Sequence, residues 1–135
     1  MLGALMQGMR IVVETTPPNW LVKWHSKALE ERDAICNGAE RAAIDRVIEK
    51  LQVDGPVLPH PHQSAVMGEE GSGLRELRPR RGRSRSRPIY RRIGKEMFAI
   101  LAMGPEAGID KAGYDRAVRA ARQRLDRLDK TRGKR

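Results

Sequence analysis

The sequence is poor in residues that mark several common classes of protein. It has one cysteine, Cys36, so no disulfide can form within the chain, and a cytoplasmic location is expected. Aromatic residues make up only 4% of the 135 residues, which predicts an aliphatic core and no large cofactor. No apolar run approaches the roughly 20 residues of a membrane-spanning helix, so no membrane partner is expected. Residues 1–9 lack the charged leader and long apolar centre of a signal peptide.

Acidic residues are scarce in one stretch, and the net charge of +10 is therefore unevenly distributed. Residues 75–95 contain ten basic side chains and one acidic side chain, whereas residues 1–54 contain seven basic and eight acidic ones. Such a density of like charge favours a polyanionic partner, with nucleic acid as the first candidate. The alternative is a solvated hairpin whose charge only keeps the protein in solution.

Hydrophobic periodicity and turn residues predict one α+β domain. The predicted elements are a strand at 20–25, a helix from Lys27 to about Cys36 with Ser26 as N-cap, a helix opened by an Asn37–Glu40 capping box and closed at 54–56, strands at 74–80, 84–93 and 97–103, and a helix from Asp110 to about Asp129. A loop is predicted at 57–73, and a bulge or one-sided edge at Pro88. The order β-α-α-β-β-β-α predicts a helical hairpin packed on a small, mostly antiparallel sheet.

The domain is predicted to span residues 19–129. Residues 1–18 form an N-terminal extension in which 10–15 could add a short strand, before Pro17 and Pro18 interrupt regular structure. Residues 130–135 are predicted to be a basic, disordered tail.

Several short motifs, taken in order, resemble the RelE/ParE superfamily of toxins, and its HigB or phage-derived branch most closely. The motifs are Trp24-His25-Ser26-Lys27-Ala28-Leu29, Gly55-Pro56-Val57-Leu58-Pro59-His60-Pro61, Leu74-Arg75-Glu76-Leu77-Arg78, Arg87-Pro88-Ile89-Tyr90, the apolar strand 97–103 and the helix 114–128. The resemblance covers about residues 20–129 and implies a RelE-like fold.

The resemblance also implies a function. Such toxins are metal-free endoribonucleases that cut messenger RNA, usually on the ribosome, and so inhibit translation. They are neutralised by a cognate antitoxin, often a helix-turn-helix protein. One branch of the fold instead poisons DNA gyrase and cuts no RNA.

The sequence departs from the family at two places. Residues 103–106 read Met-Gly-Pro-Glu where relatives carry basic residues, and Glu76 stands where a catalytic lysine would fall. Because fold does not settle activity, a degenerate member that only binds RNA or its antitoxin remains an alternative. A simple nucleic-acid-binding protein with a disordered arginine-serine segment is another.

Four residues are candidates for RNA cleavage. Arg78 and Arg87 are predicted to grip the scissile phosphate, because a guanidinium binds phosphate with two hydrogen bonds and stays charged. Glu76 is a candidate base for the 2′-hydroxyl, and Tyr114 is carried over from the resemblance. The alternatives are that Glu76 and Arg78 pair with neighbours to stabilise the sheet, and that Tyr114 is a core residue.

A second set of basic residues is predicted to contact the RNA backbone. Its members are Arg75, Arg80, Arg81, Arg83, Arg85, Arg91 and Lys111. No metal is expected, because His60 and His62 have no third ligand in their motif.

Overall fold

The computed structural model describes residues 19–133, so the strand suggested at 10–15 lies outside the described residues. The elements are β1 (Leu21–Trp24), α1 (Ser26–Ile35), α2 (Gly38–Asp54), a 3₁₀ turn (Gly55–Val57), β2 (Gln63–Ala65), β3 (Arg75–Leu77), a second 3₁₀ turn (Pro79–Gly82), β4 (Ser86–Gly94), β5 (Met97–Pro105) and α3 (Lys111–Gly133). The predicted α+β architecture is confirmed.

A single five-stranded sheet has the order β1-β5-β4-β3-β2. All neighbouring strands are antiparallel except β1 and β5, which run parallel from the Leu21–Met97 pair to the Trp24–Ile100 pair. The strand β2 was not predicted, because residues 57–73 were assigned wholly to a loop. Its three residues pair with β3 and extend the sheet at that edge.

Different helices cover the two faces of the sheet. On one face α3 buries its apolar stripe, whose members are Tyr114, Ala117, Val118, Ala121 and Leu125. On the other face the hairpin of α1 and α2 packs through residues that include Ala28, Val47 and Leu51. The predicted helical hairpin therefore occupies one face only, and the predicted third helix closes the other.

Both helices of the hairpin begin at side-chain caps. The Nδ1 atom of His25 accepts from the backbone N–H of Lys27, so the cap precedes the predicted Ser26 by one residue. Asn37 caps α2 as predicted, accepting from the N–H of Glu40 at 2.9 Å. The Glu40 carboxylate, however, binds serines near β4 instead of completing a capping box.

The region from β3 to β4 differs from the prediction. The strand β3 ends at Leu77, and Pro79, which has no N–H to donate, opens a 3₁₀ turn instead of continuing the strand to Arg80. Pro88 pairs with Met103 within β4 and β5. The irregularity expected at Pro88 is one residue away, where the register shift leaves Leu101 of β5 without a partner.

The helix α3 is longer than predicted. It continues to Gly133, although the sequence placed its end near Asp129 and assigned residues 130–135 to a disordered tail. At its start the Asp110 carboxylate accepts from the N–H of Gly113 at 2.9 Å, which satisfies a free donor of the first turn. This cap fixes where Lys111 and Tyr114 lie relative to the sheet.

Candidate functional site

A cavity of about 570 Å³ opens where β2 and β3 meet the start of α3. Five residues singled out in the sequence line it, namely Glu76, Arg78, Arg87, Lys111 and Tyr114. They come from β3 and the residue that follows it, from β4 and from the first turn of α3. The fold therefore brings together all four candidates for cleavage.

Glu76 is the centre of a buried hydrogen-bond network in this cavity. The residue is 7% exposed, and its Oε2 atom accepts from Nη1 of Arg78 at 2.8 Å. The same oxygen lies 3.5 Å from Nε of Arg87. The Oε1 atom accepts from the hydroxyl of Tyr114 at 2.5 Å. A buried carboxylate is tolerated only when it is paired in this way.

The donors of Arg87 are largely occupied by the protein itself. Its Nη1 donates to the carbonyls of Ser84 and Ser86 at 2.7 and 3.0 Å, and its Nη2 donates to that of Gly82 at 2.9 Å. With Nε facing Glu76, one of the five guanidinium N–H groups is left for a ligand. Burial, followed by the nearby Arg78, lowers the pKa of Arg87. The geometry supports a structural role for Arg87 and disfavours the predicted grip on phosphate.

Arg78 is better placed to bind an anion. Its side chain is 27% exposed, and only Nη1 is engaged by Glu76. Within the described residues, its buried Nε has no hydrogen-bond partner. An unpaired buried donor costs about 1–3 kcal/mol; because Nε is buried, an anion in the cavity would bind the exposed part of the guanidinium instead. Space for the guanidinium depends on Gly82, where an added Cβ would lie 2.6 Å from Nη2 of Arg78.

Tyr114 belongs both to the core and to the cavity. It is 9% exposed and packs with the apolar stripe of α3, as the core interpretation predicted. Burial, then its hydrogen bond to Glu76, raises the pKa of Tyr114 well above its usual value. The hydroxyl therefore stays protonated at neutral pH and serves as a donor that orients Glu76.

The cavity also contains more carboxylates than the resemblance implies. Besides Glu76, its acidic lining residues are Glu69, Glu70, Glu106 and Asp115. Lys111 is exposed at the rim, and its Nζ atom lies 2.7 Å from Asp115. Glu106 belongs to the segment 103–106, which lacks the basic residues that the resemblance leads one to expect. The structure places a carboxylate, not a cation, at this side of the cavity.

The turn between β3 and β4 is strained and tightly held. Arg80 and Arg81 have φ of 56° and 57°, a left-handed conformation that costs roughly 1–2 kcal/mol per residue. Such strain persists only where the surroundings enforce it. One restraint is Arg87, which binds the carbonyls at the end of the turn.

Glu40 is the second restraint on this turn, a role that was not predicted from the sequence. Its Oε1 atom accepts from the hydroxyls of Ser84 and Ser86 at 2.5 and 3.1 Å. Its Oε2 atom lies 3.6 Å from Nη1 of Arg80. The two serines inside the basic run were the signal that could have indicated a buried partner for this stretch.

The predicted RNA-contacting arginines do not form one surface. Arg80, Arg81 and Arg83 line a second cavity, beside α2. Arg85 borders a groove between α1 and α3. The other two, Arg75 and Arg91, line a pocket beside Tyr90 and Phe98.

Residues 19–133 offer little basis for a metal site or a membrane span. No group of three or more His, Cys, Asp or Glu side chains in this part of the chain could hold a metal ion. None of the described helices has the length and apolar content needed to cross a bilayer.

Three helices, a mostly antiparallel five-stranded sheet and the cavity beside α3 define an α+β domain consistent with a RelE-like fold. The chain is 33% identical over 97 residues to a curated Mycobacterium tuberculosis protein named "Putative toxin HigB2". The match covers 69% of this chain and 48% of that protein, so the chain spans about half the length of the relative. This similarity confirms the resemblance to HigB-like proteins of the RelE superfamily. No family model and no solved structure matches the chain.

Proposed function

We propose that the protein is the toxin of a type II toxin–antitoxin pair and that it inhibits translation in the cytoplasm by cutting messenger RNA on the ribosome. The single observation that supports this best is the convergence of Glu76, Arg78 and Tyr114 in one open cavity. The similarity to a protein named as a HigB toxin supports the same function. A cognate antitoxin, of helix-turn-helix type, is the expected protein partner.

The cavity can supply the chemistry of metal-independent RNA cleavage. Glu76 would take the proton of the 2′-hydroxyl, whose oxygen then attacks the phosphorus and displaces the 5′-oxygen. Arg78 would stabilise the charge that builds on the phosphate. Tyr114 holds Glu76 in position through its hydroxyl. Solvent at the open mouth of the cavity would protonate the leaving oxygen.

A pulse of induced expression in bacterial cells tests this proposal. Labelled methionine uptake reports translation, and primer extension on an abundant message reports cleavage. We expect uptake to stop and new, in-frame 5′ ends to appear. Arg78→Gln should lower cleavage at least about 100-fold, because it removes the donor that stabilises the transition state. The matched control is Arg127→Gln, which removes an exposed cation of α3 and should cleave like the parent.

Two observations favour a second candidate, a family member that binds RNA or antitoxin without cutting. Glu106 adds negative charge to the cavity where relatives have basic residues, and Arg87 has almost no free donor. Under this alternative, translation would slow without new 5′ ends, and Arg78→Gln would not differ from Arg127→Gln in cleavage. Arrested growth with intact messages and normal protein synthesis would instead indicate a gyrase-directed poison.

A further inference from the structure

A second cavity, of about 230 Å³, lies on the α2 side of the sheet, and five of its eight lining residues are arginine or lysine. Its lining residues are Ala43, Arg46, Val47, Lys50, His62, Arg80, Arg81 and Arg83. No carboxylate lines it. We call these eight residues the cationic cavity. Arg46, Lys50 and His62 were not among the predicted RNA-binding residues, since they lie outside the basic run.

The cations of this cavity have few partners within the protein. Arg80 has a 3.6 Å pair with Glu40, but Arg46, Lys50, Arg81 and Arg83 form no salt bridge with any side chain of residues 19–131. Arg46 and Lys50 are four residues apart on α2, a spacing at which like charges are destabilising. Glu49 and Asp54 line a separate pocket with Arg46 and Lys50 and offset part of this repulsion, and a bound anion would offset the repulsion inside the cationic cavity.

The backbone that carries two of these cations is held in place. Arg80 and Arg81 are held in left-handed conformations in the turn that Arg87 and Glu40 restrain. The pKa of His62 is lowered, first by burial and then by Lys50 of α2 and Arg81 of the turn. Asp54 acts in the opposite direction and raises it. Lys50 and Arg81 therefore lie close enough to His62 to destabilise its imidazolium, in addition to the effect of burial.

We propose that the cationic cavity binds a phosphodiester group of an RNA strand that continues past the cavity at Glu76. This inference rests on the proposed function for its choice of RNA. Arg78 lines the first cavity, and Arg80 and Arg81, two and three residues on, line the second. The turn at 79–82 thus separates two sites that one strand could occupy together.

The lining favours RNA over an acidic protein. Protein interfaces usually centre on exposed aromatic or large apolar anchors. The only apolar lining residues here are Ala43 and Val47, which are 2% and 3% exposed. Guanidinium and ammonium groups without an apolar centre suit a phosphate group better.

The first test measures binding of a short single-stranded RNA to the full chain over a series of salt concentrations. The variant Arg46→Gln/Lys50→Gln removes two cations of the cavity, and Lys23→Gln/Arg127→Gln removes two exposed cations elsewhere. The salt slope of log affinity should fall by about 0.7 in the cavity variant, because one lost phosphate contact on a single strand removes about 0.7. Affinity should fall at least 10-fold more than in the control. Equal losses in the two variants would overturn the proposal.

The second test follows the imidazole of His62 by NMR, assigned with His62→Gln. RNA bound beside His62 stabilises the imidazolium, so its pKa should rise on binding, and affinity should increase as the pH falls through that range. The rise should be absent in Arg46→Gln/Lys50→Gln. An unchanged His62 pKa at saturating RNA would contradict the inference.

Competing ligands separate the sources of the anion. If inorganic phosphate raises the pKa of His62 and RNA does not, the cavity is a site for free phosphate. If polyglutamate binds more tightly than RNA, the cavity is a site for an acidic protein. Either result overturns the proposal. These measurements need no cleavage. If RNA binds as expected but primer extension shows no cuts, the cavity assignment stands and the nuclease proposal fails.

Discussion

Replacing Arg87 with methionine removes the buried cation that joins Glu76 to the turn before β4, while keeping much of the side chain's volume. Glu76 would lose one of its two cationic neighbours, and the backbone carbonyls of Gly82, Ser84 and Ser86 would lose a donor. Breaking a buried pair from one side costs about 3–5 kcal/mol. Since a domain is stable by about 5–15 kcal/mol, Arg87→Met should remain folded but be markedly weakened.

Urea unfolding followed by circular dichroism measures this loss. With a slope of about 2 kcal/mol per molar urea, the midpoint should fall by about 2 M. Arg127→Met, at an exposed position of α3, should change the free energy of unfolding by less than about 0.5 kcal/mol. Adding Glu76→Gln to Arg87→Met should recover part of the loss, because the carboxylate is then no longer left underpaired.

If Arg87→Met unfolds within about 1 kcal/mol of the parent, then the bonds to the turn contribute little to stability. Arg87 would then be available to bind phosphate, as the sequence predicted. Loss of RNA cleavage without loss of stability would support that role directly.

Two further predictions concern Gly82 and the buried tyrosines. Gly82→Ala should destabilise the protein by at least about 1 kcal/mol and reduce cleavage, because its φ is 91° and the new Cβ would displace Arg78. The control is Gly38→Ala, where an added Cβ meets nothing within 4 Å. In urea unfolding and cleavage assays, this control should keep the stability and the cleavage rate of the parent. Burial raises the pKa of Tyr90 to about 12 and also raises that of Tyr114 above its unfolded value. The stability that each buried tyrosine contributes below pH 10 should therefore be lost as the pH rises further. The loss should be up to about 1.4 kcal/mol per pH unit for each tyrosine. Tyr114→Phe should make that alkaline decline shallower, and an unchanged slope would show that Tyr114 does not titrate as described.

Much of the fold could be predicted because its signals are local. The apolar stripe of α3 repeats at helical spacing, and β5 is apolar on both faces, as a strand between two layers must be. The cap at Asn37 was found from residue type alone. The site was predicted in outline for a similar reason, since Glu76 and Arg78 lie beside β4 in any antiparallel pairing of these strands.

The turn at 79–82 could not be predicted, because non-local contacts determine it. Arginine has no preference for a left-handed conformation, and the two arginines adopt it only where Arg87 and Glu40 hold the turn. The same contacts distinguish the two candidate phosphate ligands, because they occupy the donors of Arg87 and leave those of Arg78 largely free. Sequence spacing could place Arg78 and Arg87 near each other, but it could not show which of them would be consumed by the backbone.

The parallel pairing of β1 with β5 has a consequence for how the chain matures during synthesis. Leu21 pairs with Met97, and these residues are 76 positions apart. At about 5–20 residues per second, β1 waits about 4–15 s for its only neighbour in the described sheet to be made. During this interval β5 does not yet cover the edge of β1 or the nearby Trp20 and Trp24. Aggregation is most favoured while such an edge and such apolar side chains are exposed. The nascent protein therefore has most need of a protecting chaperone before β5 is synthesised.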